Sequence, residues 1–274
     1  MKRDSPRVLT AFVVVSLALM AVPAISWADN SWGNYHWERA SNPLELNLGD
    51  NLTSNWDDFL DTASSDWNLS AVLNTTIVPG GTRAKKCRPT KGQAEICNEA
   101  YGFNGWLGVA QIWVSGGHIT QGTVKNNDSY FNTLTYNTPA WKHLVMCQEV
   151  GHLFGLQHQD EDFGNVPLGT CMDYSSDPAP NQHPNQHDYD QLEDIYTHFD
   201  EPEEESGGPP RGRGRNKMPP AMKDMEFDGP PQWGKLLQRG HHGHTELYML
   251  DFGHGHKVFT FVVWAEPRGR SLKP

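Results

Sequence analysis

The stretch Gln148-Glu149-Val150-Gly151-His152-Leu153-Phe154-Gly155-Leu156-Gln157-His158 is where residue types and spacing could do chemistry. Glu149 precedes His152 by three positions and Gln148 by four, so a helix places all three on one face. Gly155 lets the chain turn sharply and bring His158 round to the same point. Two imidazoles, a third donor and an adjacent carboxylate form the pattern of a zinc site that hydrolyses. Zinc polarises a bound water, and the carboxylate takes its proton and passes it to the leaving amine. His152 and His158 are the expected firm ligands, Gln148 the third, and Glu149 the general base. A glutamine amide oxygen is a neutral, hard donor and a weaker zinc ligand than imidazole. Zinc is therefore expected to be held less tightly than by three histidines.

Together with Cys171-Met172-Asp173-Tyr174 downstream, this pattern resembles that of the metzincin-clan zinc metallopeptidases, H-E-x-x-H-x-x-G-x-x-H followed by a methionine turn. The likeness spans roughly residues 30–200 and is closest in character to the matrixin-like and astacin-like branches, with Gln148 in place of the first ligand histidine. It implies an α+β fold with a twisted mixed sheet, an active-site helix and a methionine turn. It also implies a shallow cleft under an edge strand, along which a substrate peptide pairs. Val109–Val114 is the expected edge. The resemblance further implies that Met172 floors the metal without ligating it and that Tyr174 assists at the oxyanion. Three outcomes stay open. Gln148 ligates, with help from Tyr174, and the enzyme works; or zinc binds and catalysis is slow; or the site is dead and the fold is a binding protein. The expected function is a secreted zinc-dependent metalloendopeptidase, and its alternative is a catalytically inactive protein on the same scaffold.

Four cysteines allow three pairings. Nearest neighbours give Cys87–Cys97 and Cys147–Cys171. Cys147 lies five positions before His152, about 140° round a helix from it, so a disulfide suits it better than metal ligation. The second bridge would tie the helix to the methionine turn. Of the 13 histidines, only His152 and His158 have a spacing that demands a ligand role. His183, His187 and His198 read as surface or helix-capping residues, and His241, His242, His244, His254 and His256 as a polar turn region. Asp160, Glu161 and Asp162 follow His158 directly and could fix it from behind or hold calcium.

The elements that must position these residues are legible in part. Thr138-Pro139 is an N-cap followed by proline at the first helical position, so a helix should run to about Phe154. Trp56, Phe59, Leu60, Ala63 and Trp67 have helical spacing over 54–69. Residues 35–37, 44–48, 72–78 and 109–114 read as strands, and 188–199 as a short helix. Lys2, Arg3 and Arg7, an apolar run from Val8 to Ile25 and Ser26-Trp27-Ala28 read as a signal peptide over 1–28. Residues 29–200 then form the peptidase-like domain. A Pro/Gly/Arg-rich linker over 201–232 is expected to be disordered. Residues 233–274 carry two strands around Gly253-His254-Gly255, a hairpin expected to dock elsewhere.

Charge limits the partners. The formal net charge is -11, and a phosphate-binding surface must be basic, so nucleic acid is excluded as the main partner. Residues 143–210 hold 15 Asp and Glu and no Lys or Arg. This negative field surrounds the motif and would attract a cation or a basic peptide. The expected partner is a peptide or protein substrate, the expected state a secreted monomer without stable membrane insertion, and the expected cofactor one catalytic Zn2+, with Ca2+ as an addition.

Overall fold

A computed structural model describes residues 31, 33–200, 218–224, 227–240 and 243–265. The signal-peptide reading over 1–28 and most of the linker reading lie outside these residues. The fold is α+β: a nine-stranded mixed sheet with five helices among the described residues. No helix among them is long and apolar enough to cross a membrane.

The first strands follow period-two alternation. In β2 (Leu44–Asn51), Leu44, Leu46 and Leu48 point into the core while Glu45 and Asn47 face solvent. β2 pairs in parallel with β3 (Leu73–Pro79) on one side and β4 (Gln93–Glu99) on the other. Between β2 and β3 runs α1 (Asp57–Trp67), which buries Leu60, Ala63, Ser64 and Trp67 and carries Asp57 and Asp58 in its first turn, where negative charge suits the helix dipole. β5 (Trp106–Ser115) and β6 (His118–Asn127) form an antiparallel hairpin, and β6 pairs in parallel with β4 and with the short β1 (His36–Trp37). A four-residue helix, α2 (Asp128–Phe131), follows. The helix expected after Thr138 is α3 (Pro139–His152), with the Thr138 hydroxyl accepting from the Trp141 amide. α4 (Gln186–Ile195) begins at a reciprocal cap between Asn185 and Asp188.

Polar composition hides two strands. β4 and β6 were not legible as strands, because their buried positions include Glu95, Asn98, Gln121, Thr123, Lys125, Asn126 and Asn127. Hydrogen bonds offset part of that burial. Asn127 donates to the carbonyls of Gly102 and Trp106 and accepts from the amides of Tyr101 and Ser129.

The C-terminal third changes the picture of the cleft. Residues 218–232, expected within a disordered linker, form α5 (Pro220–Asp224) and a 3-10 turn (Pro230–Gln232), and bury Met222 and Phe227. Three strands follow: β7 (Lys235–Arg239), β8 (Thr245–Gly253) and β9 (His256–Trp264). The expected hairpin is β8–β9. β9 runs antiparallel along β5, with Val109 opposite Val262 and Ala110 opposite Phe261. The sheet order is therefore β3-β2-β4-β6-β5-β9-β8-β7. This corrects the expectation that Val109–Val114 is an edge: β5 is flanked on both sides. Its apolar side chains serve two cores. Leu107, Ala110, Ile112 and Val114 join the main core beneath the helices, while Val109 and Trp113 join a second one with Met222, Phe227, Trp233 and Val258. A strand covered on both faces reads as a continuous apolar run, as this one does.

Both disulfides form as expected, Cys87–Cys97 and Cys147–Cys171. Two disulfides and no free cysteine among the described residues indicate an oxidising, extracellular type of compartment.

Candidate metal centre

α3 delivers Gln148, Glu149 and His152 to one point beneath β5, and all three are fully buried. After Leu153 the chain reverses at Gly155, whose φ is +98°. A Cβ there would lie 2.5 Å from the Tyr35 carbonyl oxygen. Only glycine fits such a turn, and the turn returns His158 to His152. The two Nε2 atoms face each other at 3.1 Å.

Hydrogen bonds behind each ring fix what those nitrogens present. His152 Nδ1 lies 2.9 Å from the Leu156 carbonyl oxygen. A carbonyl only accepts, so Nδ1 carries the proton. Burial, and next the neighbouring His158, hold His152 well below its ordinary pKa; the ring is neutral and its Nε2 is a bare lone pair. His158 Nδ1 lies 3.2 Å from Glu161 Oε1. Burial raises the Glu161 pKa, but the hydrogen bond and charge of His158 and the Gln238 amide bring it below the usual range, so Glu161 is an anion facing the far side of that ring. Outer partners of this kind orient metal-binding histidines and set their tautomer.

Gln148 donates from Nε2 to the Cys171 carbonyl at 2.8 Å. That bond leaves Oε1 as the free end of the amide, and Oε1 is buried without a hydrogen-bond partner. The carboxylate oxygens of Glu149 lack a well-formed hydrogen bond too, with only the Ala110 backbone amide near. Burial pushes the Glu149 carboxyl well above its ordinary range, with the Ala110 backbone opposing. The β5 backbone lies close above it: a Cβ on Gly108 would meet Glu149 Oε1 at 2.4 Å.

Met172 packs beneath the helix. A Cβ on Gly151 would sit 2.6 Å from Met172 Sδ and 2.7 Å from the Trp67 ring, so the absence of a side chain at Gly151 admits both. The Cys147–Cys171 bridge joins α3 to this segment across 24 residues. A loop of that size contributes roughly 3 kcal/mol in the chain-entropy picture. Tyr174 is buried and donates from its hydroxyl to the Trp264 carbonyl at 3.0 Å. Burial, then the nearby Tyr136 and Glu149, push its pKa well above the ordinary value.

β9 completes the enclosure. Phe261 stacks on the His152 ring, with centroids 4.2 Å apart and planes 9° from parallel. Comparison with protein-family models and with curated proteins finds no match for the chain.

The structure thus brings His152 and His158 together, with Gly155 making the turn, Gln148 and Glu149 buried on the same helix as His152, and Met172 packed against Gly151. Of the acidic run, Glu161 backs His158, while Asp160 accepts from the Asp162 amide at 2.6 Å and from Asn165. His183 pairs with Asp66 at 2.7 Å on the surface, as a surface residue should. His198 is exposed, as a surface residue should be, and also meets His36 and Asp200. Of the C-terminal group, His254 lies in the β8–β9 turn with φ +53°, but His244 and His256 are buried, His244 stacked on Phe163. Phe261 and Trp264 were missed as site residues, because an apolar strand carries no chemical signature of what it covers.

Proposed function

We propose that this protein is a metzincin-like, zinc-dependent metalloendopeptidase whose substrate strand position is filled, in the resting form, by its own β9. The observation that carries the reading is the pair of Nε2 atoms facing each other at 3.1 Å. The bare Nε2 lone pair of His152 faces His158 Nε2, so a cation between the two nitrogens would be held by both rings. Tetrahedral zinc, with Zn–N of 2.0–2.1 Å, separates its donor atoms by about 3.3 Å. Gln148 Oε1, buried and without a hydrogen-bond partner, would supply a third donor. The residues present therefore fit zinc, held by His152, His158 and Gln148.

Bound zinc would polarise water and the scissile carbonyl. Glu149 would accept the proton of that water and hand it to the leaving amine; its carboxyl, poised high by burial, suits a group that must take up a proton. Tyr174 would turn its hydroxyl to the developing oxyanion once released from the Trp264 carbonyl. Met172 packed against Gly151 supports the methionine-turn part of the reading. A substrate peptide would pair with β5 as β9 does, antiparallel. The motif and the disulfides support secretion.

The complete burial of Gln148, Glu149 and His152 favours a second reading, a metal-binding but catalytically silent protein on the same scaffold. One experiment separates them. The full chain, supplied with zinc, is assayed on a peptide library beside Glu149→Gln, Gln148→His and Phe261→Ala. The peptidase reading expects hydrolysis that Phe261→Ala raises and Glu149→Gln abolishes. No cleavage by any form except Gln148→His would establish the silent reading.

A further inference from the structure

A second metal centre is built from residues that no local motif connects. β1 and β6 pair in parallel with His36 directly opposite His118, so two imidazoles from distant chain positions stand side by side. The chain beyond α4 adds His198 and Asp200. All three rings converge on one carboxylate oxygen: Asp200 Oδ1 lies 3.3 Å from His36 Nε2, 3.0 Å from His118 Nε2 and 3.5 Å from His198 Nε2. The donor atoms of His36, His198 and Asp200 lie within 4.8 Å of one another. The rings stand edge to face, His36 against His118 at 5.0 Å and against His198 at 4.9 Å.

The outer partners are those of a ligand set. His36 Nδ1 lies 2.7 Å from the Asn34 carbonyl, which can only accept, so that nitrogen holds the proton. Asp200 Oδ2 accepts from the Arg39 amide at 2.8 Å, and the Asp200 amide donates to the Arg39 carbonyl at 2.9 Å, so the carboxylate is anchored from behind with Oδ1 directed at the imidazoles. The Arg39 guanidinium is engaged elsewhere, with Asn42 Oδ1 at 3.0 Å and the Phe199 ring at 4.7 Å.

We propose that His36, His198 and Asp200 hold a zinc ion that clamps β1 to the segment after α4, with His118 backing the Asp200 carboxylate from the β5–β6 hairpin. Two imidazole nitrogens and one carboxylate oxygen suit zinc, and Asp200 Oδ1 lies 3.3 Å from His36 Nε2 and 3.5 Å from His198 Nε2, close to the roughly 3.3 Å between donors on one zinc ion. The ligands come from β1 and from the segment after α4, so the ion would tie two distant parts of the chain together. What is clamped matters to the first centre: β1 carries Trp37, whose indole donates to the Leu153 carbonyl at 2.8 Å just before the Gly155 turn. The proposal does not depend on zinc binding at His152 and His158.

The test uses the full chain carrying His152→Ala and His158→Ala, which removes the first centre. Zinc is added, excess is removed by gel filtration, and metal per chain and the thermal midpoint are measured. The background chain is expected to retain one zinc and to melt higher with zinc than with chelator. His198→Ala, which removes a largely exposed side chain, is expected to weaken zinc binding by at least about 100-fold, the upper end of the effect of losing an outer partner, and to erase the thermal shift. His118→Ala is the second variant, expected to weaken zinc binding by roughly 10–100-fold through loss of the partner behind Asp200. A background chain that retains no zinc overturns the proposal. So does zinc affinity that neither His198→Ala nor His118→Ala changes, since the ion would then sit elsewhere, for instance among the C-terminal histidines.

Discussion

Gly155→Ala is the sharpest perturbation of the turn that creates the site. The substitution adds one methyl group, and the structure assigns it two costs. The backbone at 155 has φ +98°, where an L side chain is strained by about 1–2 kcal/mol. The new Cβ would also lie 2.5 Å from the Tyr35 carbonyl oxygen, a backbone atom that cannot rotate aside. Overpacking of that kind costs about 1–3 kcal/mol. The sum, about 2–5 kcal/mol, is a large share of the roughly 5–15 kcal/mol that holds a domain folded. Relief by moving the turn would pull His158 away from His152, so zinc affinity should fall along with stability. Urea unfolding of the oxidised, metal-free chain measures the first effect and a zinc titration the second. Gly164→Ala is the control: its backbone is not left-handed, and the nearest atom to a new Cβ is Asp162 Oδ1 at 3.6 Å, so it should stay within about 0.5 kcal/mol of wild type. A Gly155→Ala chain equally close to wild type, with unchanged zinc affinity, would refute the reasoning.

In the metal-free chain, Glu149→Gln should stabilise the fold at neutral pH. The folded-state pKa of Glu149 is raised by burial, so the carboxyl costs nothing below its unfolded value near 4.5 and destabilises progressively as pH rises toward the folded value; urea unfolding from pH 4 to 8 should show the variant's advantage growing with pH. Glu161→Ala should lower zinc affinity at the first centre by roughly 10–100-fold through loss of the His158 partner, measured by competition with a chromogenic chelator. Replacing Cys147 and Cys171 together by alanine should cost roughly 3 kcal/mol in urea unfolding, and more of the zinc affinity than opening the distant Cys87–Cys97 bridge.

The sequence was most informative where one local rule decides. The capped start of α3 at Thr138-Pro139, the helical face of Gln148, Glu149 and His152, the Gly155 turn and both disulfides all depend on short-range chemistry, and the structure places them as expected. Two kinds of feature were not legible. β4 and β6 are central strands whose buried residues include many polar ones, satisfied in part by long-range hydrogen bonds that periodicity does not register. The burial of the site was missed for the opposite reason: β9 was visible as a strand, but nothing local says that it lies along β5 with Phe261 over His152. The same limit hid the His36–His118–His198–Asp200 cluster, whose members meet only through the register of β1 with β6 and the packing of the chain after α4.

The central claim is that His152 and His158 hold a metal ion. Zinc per chain, measured by elemental analysis after zinc loading and gel filtration, tests it when the full chain is compared with the His152→Ala, His158→Ala chain. The account predicts that the wild-type chain retains one zinc equivalent more than the variant. Equal zinc content in the two would contradict it.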